Sequence, residues 1–185
     1  MGLKITETLI GGVFVVESSP VVDARGSFSR FFCARELDPV LQGKPIVQIN
    51  HSVNLEVGTI RGLHYQSAPH AETKMVRCIR GKVWDVTVDL REGSPTFLRY
   101  HAQELSAGNN LMMVIPEGCA HGYQVLEPNS ELLYLHTDFY MPESQGAVRY
   151  NDPALRVEWP LPATNVSERD LAHSLIGVDF KGMKR

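Results

Sequence analysis

The feature that most constrains the fold is the stretch from residue 58 to residue 91, which contains two β-rich segments separated by a polar loop. In the second segment, apolar and polar side chains alternate with a period of two, which predicts a half-buried strand. Gly81 interrupts this segment and predicts a tight turn or a bulge that joins two short strands. The apolar face carries Trp84, Val86, Val88 and Leu90, and the polar face carries Asp85, Thr87 and Asp89.

Composition limits the kinds of protein that this chain can be. Its 185 residues, 43% of them hydrophobic, predict one domain over residues 1–185. A net charge of −3 gives no general attraction for nucleic acid, so we expect no nucleic-acid partner. The uncharged stretches near the N-terminus are too short to cross a bilayer, and we expect a soluble cytoplasmic protein without a membrane partner. Three widely spaced cysteines favour neither a disulfide framework nor a cysteine metal site.

Short β-rich segments recur along the rest of the chain, and little helix is predicted. Short helices are expected from Cys33 to Leu41 and from near Ser167, and the chain from about residue 142 is expected to be rich in loops and helix. Many short strands with turn signals between them predict an all-β fold, a double-sheet jelly roll of the cupin type. The N-terminal strands are expected to form an edge or a dimer arm. Strands are predicted at 3–22, 45–57, 95–104, 110–115, 123–126 and 131–137, with a loop at 116–122.

A cupin-type barrel raises the question of a metal ion, because such barrels commonly bind one through histidine and carboxylate side chains. The turn from Pro116 to His121 supplies one histidine, whereas the expected pair of histidines one residue apart is replaced by His64 and Gln66. Two imidazoles with a nearby lysine, Lys74, make a poor ligand set for a divalent ion. We therefore predict no metal; the open alternative is that Glu72 or His70 completes a site.

The polar residues of the central strands favour acid–base chemistry instead. Any one histidine is most simply explained as a satisfied core residue. A barrel interior holds this many polar groups only when they are paired or bind something, because unpaired buried polar groups are costly. His64 is the natural base, and Tyr134 and Tyr140 are phenolic acids, stacking platforms or simply strand-end aromatics. The polar set is Arg61, His64, Gln66, Lys74, Asp85 and His121.

Several motifs occur in a specific order along nearly the whole chain. They are Asp23-x-Arg25-Gly-x-Phe28, Gln48-x-Asn50-x-Ser52, Arg61-Gly-Leu-His-Tyr-Gln66, Lys74, Ile115-Pro-Glu-Gly-x-Ala-His-Gly122, Tyr134, Asn151-Asp-Pro and Ser167-x-x-Asp170. In these motifs the chain resembles the dTDP-4-dehydrorhamnose 3,5-epimerases. The resemblance implies a cupin-type jelly roll, a homodimer, no metal and no cofactor. It also implies a dTDP-linked 4-keto-6-deoxyhexose as substrate, in deoxysugar biosynthesis.

The resemblance also implies roles for individual residues. His64 would remove the proton next to the C4 ketone, with Asp170 as its hydrogen-bonded partner. Tyr134 would return a proton from the opposite face, and Lys74 would stabilise the enolate at the ketone oxygen. Arg61 and His121 would complete the sugar pocket, while Arg25, Gln48 and Asn50 would hold the nucleotide. The full set of implied substrate-binding residues is Arg25, Phe28, Arg30, Gln48, Asn50, Arg61, His121 and Tyr140.

One departure from the family pattern concerns the base of the nucleotide. Arg30 stands where the family often has a glutamate close to the thymine ring. Thymine N3 carries a hydrogen and needs an acceptor, whereas cytosine N3 is itself an acceptor and needs a donor. A CDP-linked substrate is therefore an alternative. Inversion at C3 only or at C5 only, a metal-dependent cupin and a non-catalytic sugar-nucleotide-binding protein are the others.

Overall fold

A computed structural model describes residues 2–184, and within this range the chain is built mainly from short strands. Helix α1 (Ala34–Leu41) and helix α2 (Glu168–Ala172) are accompanied by one 3₁₀ turn (Pro142–Ser144). The strands are β1 (Leu3–Glu7), β2 (Phe14–Ser18), β3 (Val21–Asp23), β4 (Gly26–Phe28), β5 (Gln48–Asn54), β6 (Ile60–Gln66), β7 (Lys74–Arg80), β8 (Lys82–Asp89), β9 (Tyr100–Ser106), β10 (Leu111–Ile115), β11 (Cys119–Val125), β12 (Ser130–His136) and β13 (Gln145–Ala147).

The strands form two antiparallel sheets that face each other. The larger has the order β1-β2-β10-β7-β12-β5 and the smaller has the order β13-β6-β11-β8-β9, while β3 and β4 form a separate hairpin. Buried side chains from both sheets meet between them, among them Val76 and Leu132 from the larger sheet and Val83 and Tyr123 from the smaller. The predicted all-β, cupin-type jelly roll is confirmed.

The turn between β7 and β8 forms at Gly81, as predicted. Gly81 has a φ of 71°, a left-handed conformation that side chains disfavour. A Cβ at this position would also lie 2.4 Å from the Oγ of Ser130. The sequence pattern therefore located the turn correctly, and the close approach of β12 is a second reason for a glycine there.

The prediction that β8 is half-buried is wrong, because both of its faces are covered. Asp85 and Thr87 point, like Val83, toward the space between the sheets. The apolar face packs on the outside of the barrel against the C-terminal part of the chain, including Leu155 and Phe180. The polar face of this strand is thus the inner one, and the C-terminal segment takes the place of solvent on the outer face.

Other predicted elements are confirmed with changed limits. Helix α1 follows Cys33 directly, and helix α2 begins after Ser167, whose Oγ accepts a hydrogen bond from the backbone N–H of Asp170. The strand predicted at 95–104 begins only at Tyr100, because the preceding residues form turns. The predicted loop at 116–122 is too long at its C-terminal end, since β11 already begins at Cys119.

The outer face of the larger sheet is covered unevenly. Leu37 and Leu41 of α1 pack on it over β2, β10, β7 and β12. At the edge strand β5, Ile49 and Val53 are 61% and 47% exposed. Within residues 2–184, no helix is long and apolar enough to span a membrane.

A buried ion pair supports the turn after β8. The carboxylate of Asp89, which is fully buried, accepts hydrogen bonds from the Nε (2.7 Å) and Nη2 (2.8 Å) of Arg91. The hydroxyls of Ser94 and Thr96 also donate to it, at 2.5 and 2.6 Å. Burial by itself would raise the pKa of Asp89, but these hydrogen bonds outweigh it and lower the pKa to about 2.

Replacing Asp89 by asparagine should leave the buried guanidinium of Arg91 without a counterion. We expect Asp89→Asn to lower the free energy of unfolding by about 3 kcal/mol at neutral pH, measured by urea denaturation. Because the folded pKa is lowered, this stabilisation is complete above the ordinary aspartate value of about 4. It is lost as the pH falls toward about 2, so the difference between the two proteins should shrink across that window.

The hairpin of β3 and β4 provides a matched control with the same spacing. Asp23 accepts hydrogen bonds from Arg25 in the same way, but the Arg25 side chain is 90% exposed. Exposed ion pairs contribute little to stability. Asp23→Asn should therefore change the free energy of unfolding much less than Asp89→Asn, and equal effects would contradict the role given to burial.

Candidate active site

A cavity of about 640 Å³ lies between the two sheets at one end of the barrel. Strands β5, β6, β7, β11 and β12 and helix α2 contribute to its wall. Gln48, Asn50 and Ser52, which share one face of β5 by alternation, line the cavity, and His51 of the same strand also lines it. Asn50 and Tyr140, which line one part of the cavity, are exposed, so the cavity is open to solvent there; Arg61, which contacts Asn54 at the other end of β5, is exposed as well.

His64 and Asp170 form a hydrogen-bonded pair on one wall. The Nε2 of His64 lies 2.7 Å from the Oδ1 of Asp170, and the backbone N–H of Gly62 donates to the other carboxylate oxygen at 3.4 Å. Burial acts to raise the pKa of Asp170, but the hydrogen bond from His64 and its charge outweigh it and lower the pKa. An ionised Asp170 accepts the hydrogen on Nε2, which leaves Nδ1 of His64 as the basic nitrogen.

A close approach of two strands places His64 opposite His121. A Cβ on Gly62 would lie 2.6 Å from the Cα of Gly122, and a Cβ on Gly122 would lie 2.5 Å from the backbone oxygen of Arg61. Only glycine at both positions lets β6 and β11 come this near. In the resulting register His64 and His121 are cross-strand partners, so both imidazoles reach the same cavity.

His121 forms a second imidazole–carboxylate pair, deeper in the barrel. Its Nε2 lies 2.8 Å from the Oδ2 of Asp85, and the two residues are 5% and 0% exposed. The ring of His121 meets the ring of Tyr134 edge to face, with 6.4 Å between centroids. A buried carboxylate needs such a partner, because an unpaired buried charge is costly.

Lys74 reaches the cavity with its own counterion. Its Nζ lies 3.1 Å from the Oε1 of Glu72, and the Oε2 of Glu72 lies 2.7 Å from the Nδ1 of His136. All three side chains are nearly buried. Burial acts to raise the pKa of Glu72, but the hydrogen bond from His136 and the charge of Lys74 outweigh it and lower the pKa. The ammonium group is thus held in place by an ionised carboxylate.

Tyr134 lies on the opposite sheet from His64, on β12. Its hydroxyl group is 3.1 Å from the Oγ of Ser52 and 3.0 Å from the hydroxyl of Tyr123, which it donates to. Burial raises the pKa of Tyr134 well above its usual value, and Tyr123 acts in the same direction. The phenol therefore keeps its proton at neutral pH and is able to donate it.

The structure brings most of the predicted site residues into one cavity, but three lie elsewhere. Arg25 and Phe28 belong to the exposed β3–β4 hairpin, where Phe28 is 69% exposed. Arg30 forms an ion pair with Glu36 of α1. Those that line the cavity are His64, Tyr134, Asp170, Lys74, Gln48, Asn50, Arg61, His121 and Tyr140.

The cavity wall also contains residues to which the sequence pattern assigns no part in the reaction, and Glu72 and His136 are two of them. The sequence offers Glu72 only as a metal ligand and assigns no role to His136. A signal was present for both, since Glu72 precedes Lys74 by two residues and His136 follows Tyr134 by two residues. Residues two apart on a strand share a face, so His136 is expected on the same face of β12 as Tyr134.

Each imidazole that lines the cavity is paired with a carboxylate. The pairs are His64 with Asp170, His121 with Asp85, His136 with Glu72, and His51 with Glu131. Among residues 2–184, no three histidine, cysteine, aspartate or glutamate side chains are grouped as a metal site. The arrangement provides a base, an acid and a fixed cation around one space, which suits proton transfer next to a polarised carbonyl group.

A jelly-roll barrel of this kind, with proton-transfer groups on facing walls, falls among the cupin-type isomerases. The family profile described as dTDP-4-dehydrorhamnose 3,5-epimerase matches residues 7–177. The chain belongs to this family.

Individual relatives agree with the family assignment. The chain is 43% identical to a dTDP-4-dehydrorhamnose 3,5-epimerase of Pseudomonas aeruginosa over 171 residues, 91% of this chain and 93% of that protein. It is 40% identical to one of Neisseria gonorrhoeae over 171 residues. That match covers 92% of this chain and 52% of the longer relative.

Solved structures of related enzymes share the fold. A 3,5-epimerase of Legionella pneumophila, solved with dTDP-4-keto-L-rhamnose, has a TM-score of 0.90 and 36% identity, and the match covers 99% of both chains. A 3'-monoepimerase of Streptomyces bikiniensis, solved with dTDP-quinovose, has a TM-score of 0.85 and 29% identity, covering 91% of this chain and 85% of that one.

Removing the charge of Asp170 should impair proton transfer by His64. We expect Asp170→Asn to lower the epimerisation rate roughly 100-fold. The acidic limb of the pH–rate profile should also move, because the ring of His64 loses the carboxylate with which it is paired. The measurement is the pH dependence of kcat/KM. Asp138→Asn is the control, since Asp138 pairs with His70 at 3.4 Å outside the cavity; an unchanged profile in Asp170→Asn would remove Asp170 from the mechanism.

Proposed function

We propose that this protein epimerises a nucleotide-linked 4-keto-6-deoxyhexose at the carbons next to its C4 ketone. The substrate type is dTDP-4-dehydro-6-deoxyglucose, and the product type is dTDP-4-dehydrorhamnose. The observation that carries the proposal is the placement of the His64–Asp170 pair and of Tyr134 on facing sheets of one cavity. Membership of the epimerase family supports the same chemistry.

The chemistry requires a cation because a C–H bond next to a ketone is only weakly acidic. Imidazole removes such a proton at a useful rate when the developing enolate oxygen is stabilised by a fixed positive charge. Lys74 supplies that charge, and Glu72 holds its ammonium group in position. The charge of Lys74 is already present before the reaction, so no reorganisation is needed as the enolate forms.

Inversion follows from the use of two groups on opposite faces. His64 takes the proton from one face of the sugar, and the electron pair moves into the enolate. Tyr134 then gives its phenolic proton to the same carbon from the other face. The net change is one proton gained by His64 and one lost by Tyr134, and both groups return to their starting states by exchange with water.

The nucleotide end of the substrate is proposed to lie toward the open side of the cavity. Gln48, Asn50 and Tyr140 line that side. Arg25 and Phe28, which the family pattern assigns to the nucleotide, lie on a hairpin away from the cavity of their own chain. We propose that the hairpin of a second copy reaches this cavity, so that the enzyme acts as a homodimer. The exposed apolar side chains of β5, such as Ile49, offer a surface on which that copy can pack.

Exchange with solvent tests the reaction directly. Incubation with dTDP-4-keto-6-deoxyglucose in D₂O should introduce deuterium at C3, at C5 or at both, as read by NMR. His64→Ala should lose at least roughly 100-fold in exchange rate while still binding dTDP. Equal exchange by the variant would contradict the role of His64, and the absence of exchange by the wild-type protein would contradict the proposed function for this substrate.

Two alternatives are separated by the same experiment. Exchange with a CDP-linked 4-keto sugar, and none with the dTDP-linked one, would assign the base as cytosine; in its own chain Arg30 is paired with Glu36 and does not line the cavity. Deuterium at C3 alone would assign a mono-epimerase, the activity named for the Streptomyces bikiniensis neighbour that is 29% identical to this chain.

Mixed dimers test whether Arg25 serves the neighbouring site. Arg25→Ala and His64→Ala should each be nearly inactive alone, and co-expression of the two should restore activity. Half of the dimers in an equal mixture are mixed and each has one intact site, so about a quarter of the wild-type activity should return. No recovery would show that Arg25 serves its own chain or no site at all.

The cytoplasmic location and the absence of nucleic-acid and membrane partners stay predictions.

A further inference from the structure

A row of four polar side chains runs along the cavity wall from Glu72, the partner of Lys74, to Gln48 at the start of β5. We call Glu72, His136, Asn50 and Gln48 the amide relay. The Oε2 of Glu72 is 2.7 Å from the Nδ1 of His136, and the Nε2 of His136 is 3.3 Å from the Nδ2 of Asn50. The Oδ1 of Asn50 is in turn 3.3 Å from the Nε2 of Gln48. None of the proton-transfer steps uses His136, Asn50 or Gln48.

The end of the relay at Glu72 determines the direction of its hydrogen bonds. Glu72 is ionised, since its pKa is lowered despite burial, and it receives the Lys74 ammonium on its other oxygen. A carboxylate only accepts hydrogen bonds. His136 must therefore carry a hydrogen on Nδ1, and in the neutral ring Nε2 is then an acceptor. The group that meets this nitrogen has to be a donor, so the amide nitrogen of Asn50 faces His136.

The hydrogen bonds at the opposite end of the relay, at Gln48, independently give the Asn50 amide the same orientation. The backbone N–H of Tyr140 donates to the Oε1 of Gln48 at 3.1 Å, which identifies the amide oxygen of Gln48. The amide nitrogen of Gln48 then faces Asn50 and donates to it. Asn50 must present its oxygen to Gln48 and its nitrogen to His136. Two fixed ends thus agree on the orientation of an amide that is otherwise free to turn over.

The orientation decides what the cavity offers to a ligand. In each amide the oxygen is used within the relay or by Tyr140, and one of the two N–H bonds remains for the cavity. Asn50 is exposed and both amides line the cavity. A turned Asn50 would present an oxygen instead. N–H donors match the oxygens of a diphosphate, which only accept hydrogen bonds, whereas a presented amide oxygen would repel them.

We propose that Glu72 and His136 are positioning residues that orient the amides of Asn50 and Gln48 toward the diphosphate of the bound nucleotide. This inference rests on the proposed function, in that it assigns the nucleotide to this side of the cavity. It gives Glu72 two tasks, since the same carboxylate holds Lys74 for the ketone and His136 for the amides. His136 acts through Asn50 and does not itself take part in proton transfer.

The affinity for dTDP tests the amide relay without any need for turnover. His136→Asn keeps a short amide N–H for Glu72 and loses the ring nitrogen that faces Asn50. We expect it to weaken dTDP binding roughly 10-fold by titration calorimetry, because the amide of Asn50 becomes free to turn over. The Lys74–Glu72 pair is left intact, so KM should rise while kcat stays within about threefold.

The chain offers a matched control outside the cavity. His70 pairs with Asp138 at 3.4 Å, and neither residue lines the cavity. His70→Asn should leave dTDP affinity, KM and kcat within about twofold of the wild-type values. A loss of affinity in both histidine variants would show a general loss of structure, and the inference would be overturned.

A second variant tests whether Glu72 and His136 act as one unit. In Glu72→Gln the amide is able to donate to His136, which reverses the relay, so dTDP affinity should again fall roughly 10-fold. The double variant should bind dTDP no more weakly than whichever single variant has the lower affinity. The reason is that losses of affinity do not add when the two groups act together. Additive losses would overturn the inference, as would an affinity of His136→Asn within about twofold of wild type.

These binding experiments distinguish a failure of the amide-relay inference from a failure of the proposed function. If the wild-type protein binds CDP rather than dTDP, the assigned base is wrong, and the same variants are then compared with CDP as the probe. The amide relay concerns the diphosphate that both nucleotides share. If the wild-type protein binds dTDP and the relay variants lose affinity, the inference stands even when no deuterium exchange is seen.

Discussion

The structure depends on the requirement that every charge inside the barrel has a partner. The inner face of the barrel carries Asp85, Glu72, Lys74 and several imidazoles, and a buried charge without a partner is costly. The chain meets this cost with three separate imidazole–carboxylate pairs and one lysine–carboxylate pair. The result is a polar interior whose groups are fixed in orientation before any substrate binds, which is the condition for electrostatic catalysis.

This polar interior is possible because the apolar face of the smaller sheet is buried on the outside. The C-terminal segment packs over Trp84, Val86 and Val88, of which Val86 and Val88 are fully buried and Trp84 is partly buried. The same segment then turns toward the cavity, where helix α2 delivers Asp170 to His64. Packing and catalysis are therefore linked, since the segment that covers the barrel also carries the partner of the proposed base.

The sequence predicted the parts of the site that follow from strand periodicity. Gln48, Asn50 and Ser52 were expected on one face of a strand, and they line the cavity together. Periodicity failed for β8, because it shows which residues share a face but does not show what covers that face. The partnership of His64 with Asp170 spans 106 residues of sequence, and only the family resemblance suggested it beforehand.

By itself, the sequence determined the all-β class, the turn at Gly81 and the alternation that sorts side chains onto two faces, because these depend on neighbours along the chain. Tertiary structure alone decided which face of β8 is the inner one and that Glu72 joins Lys74 to His136. It also decided that Arg25 and Phe28 lie away from the cavity of their own chain. The physical reason is that burial and charge pairing depend on strands distant in sequence, and no local pattern contains that information.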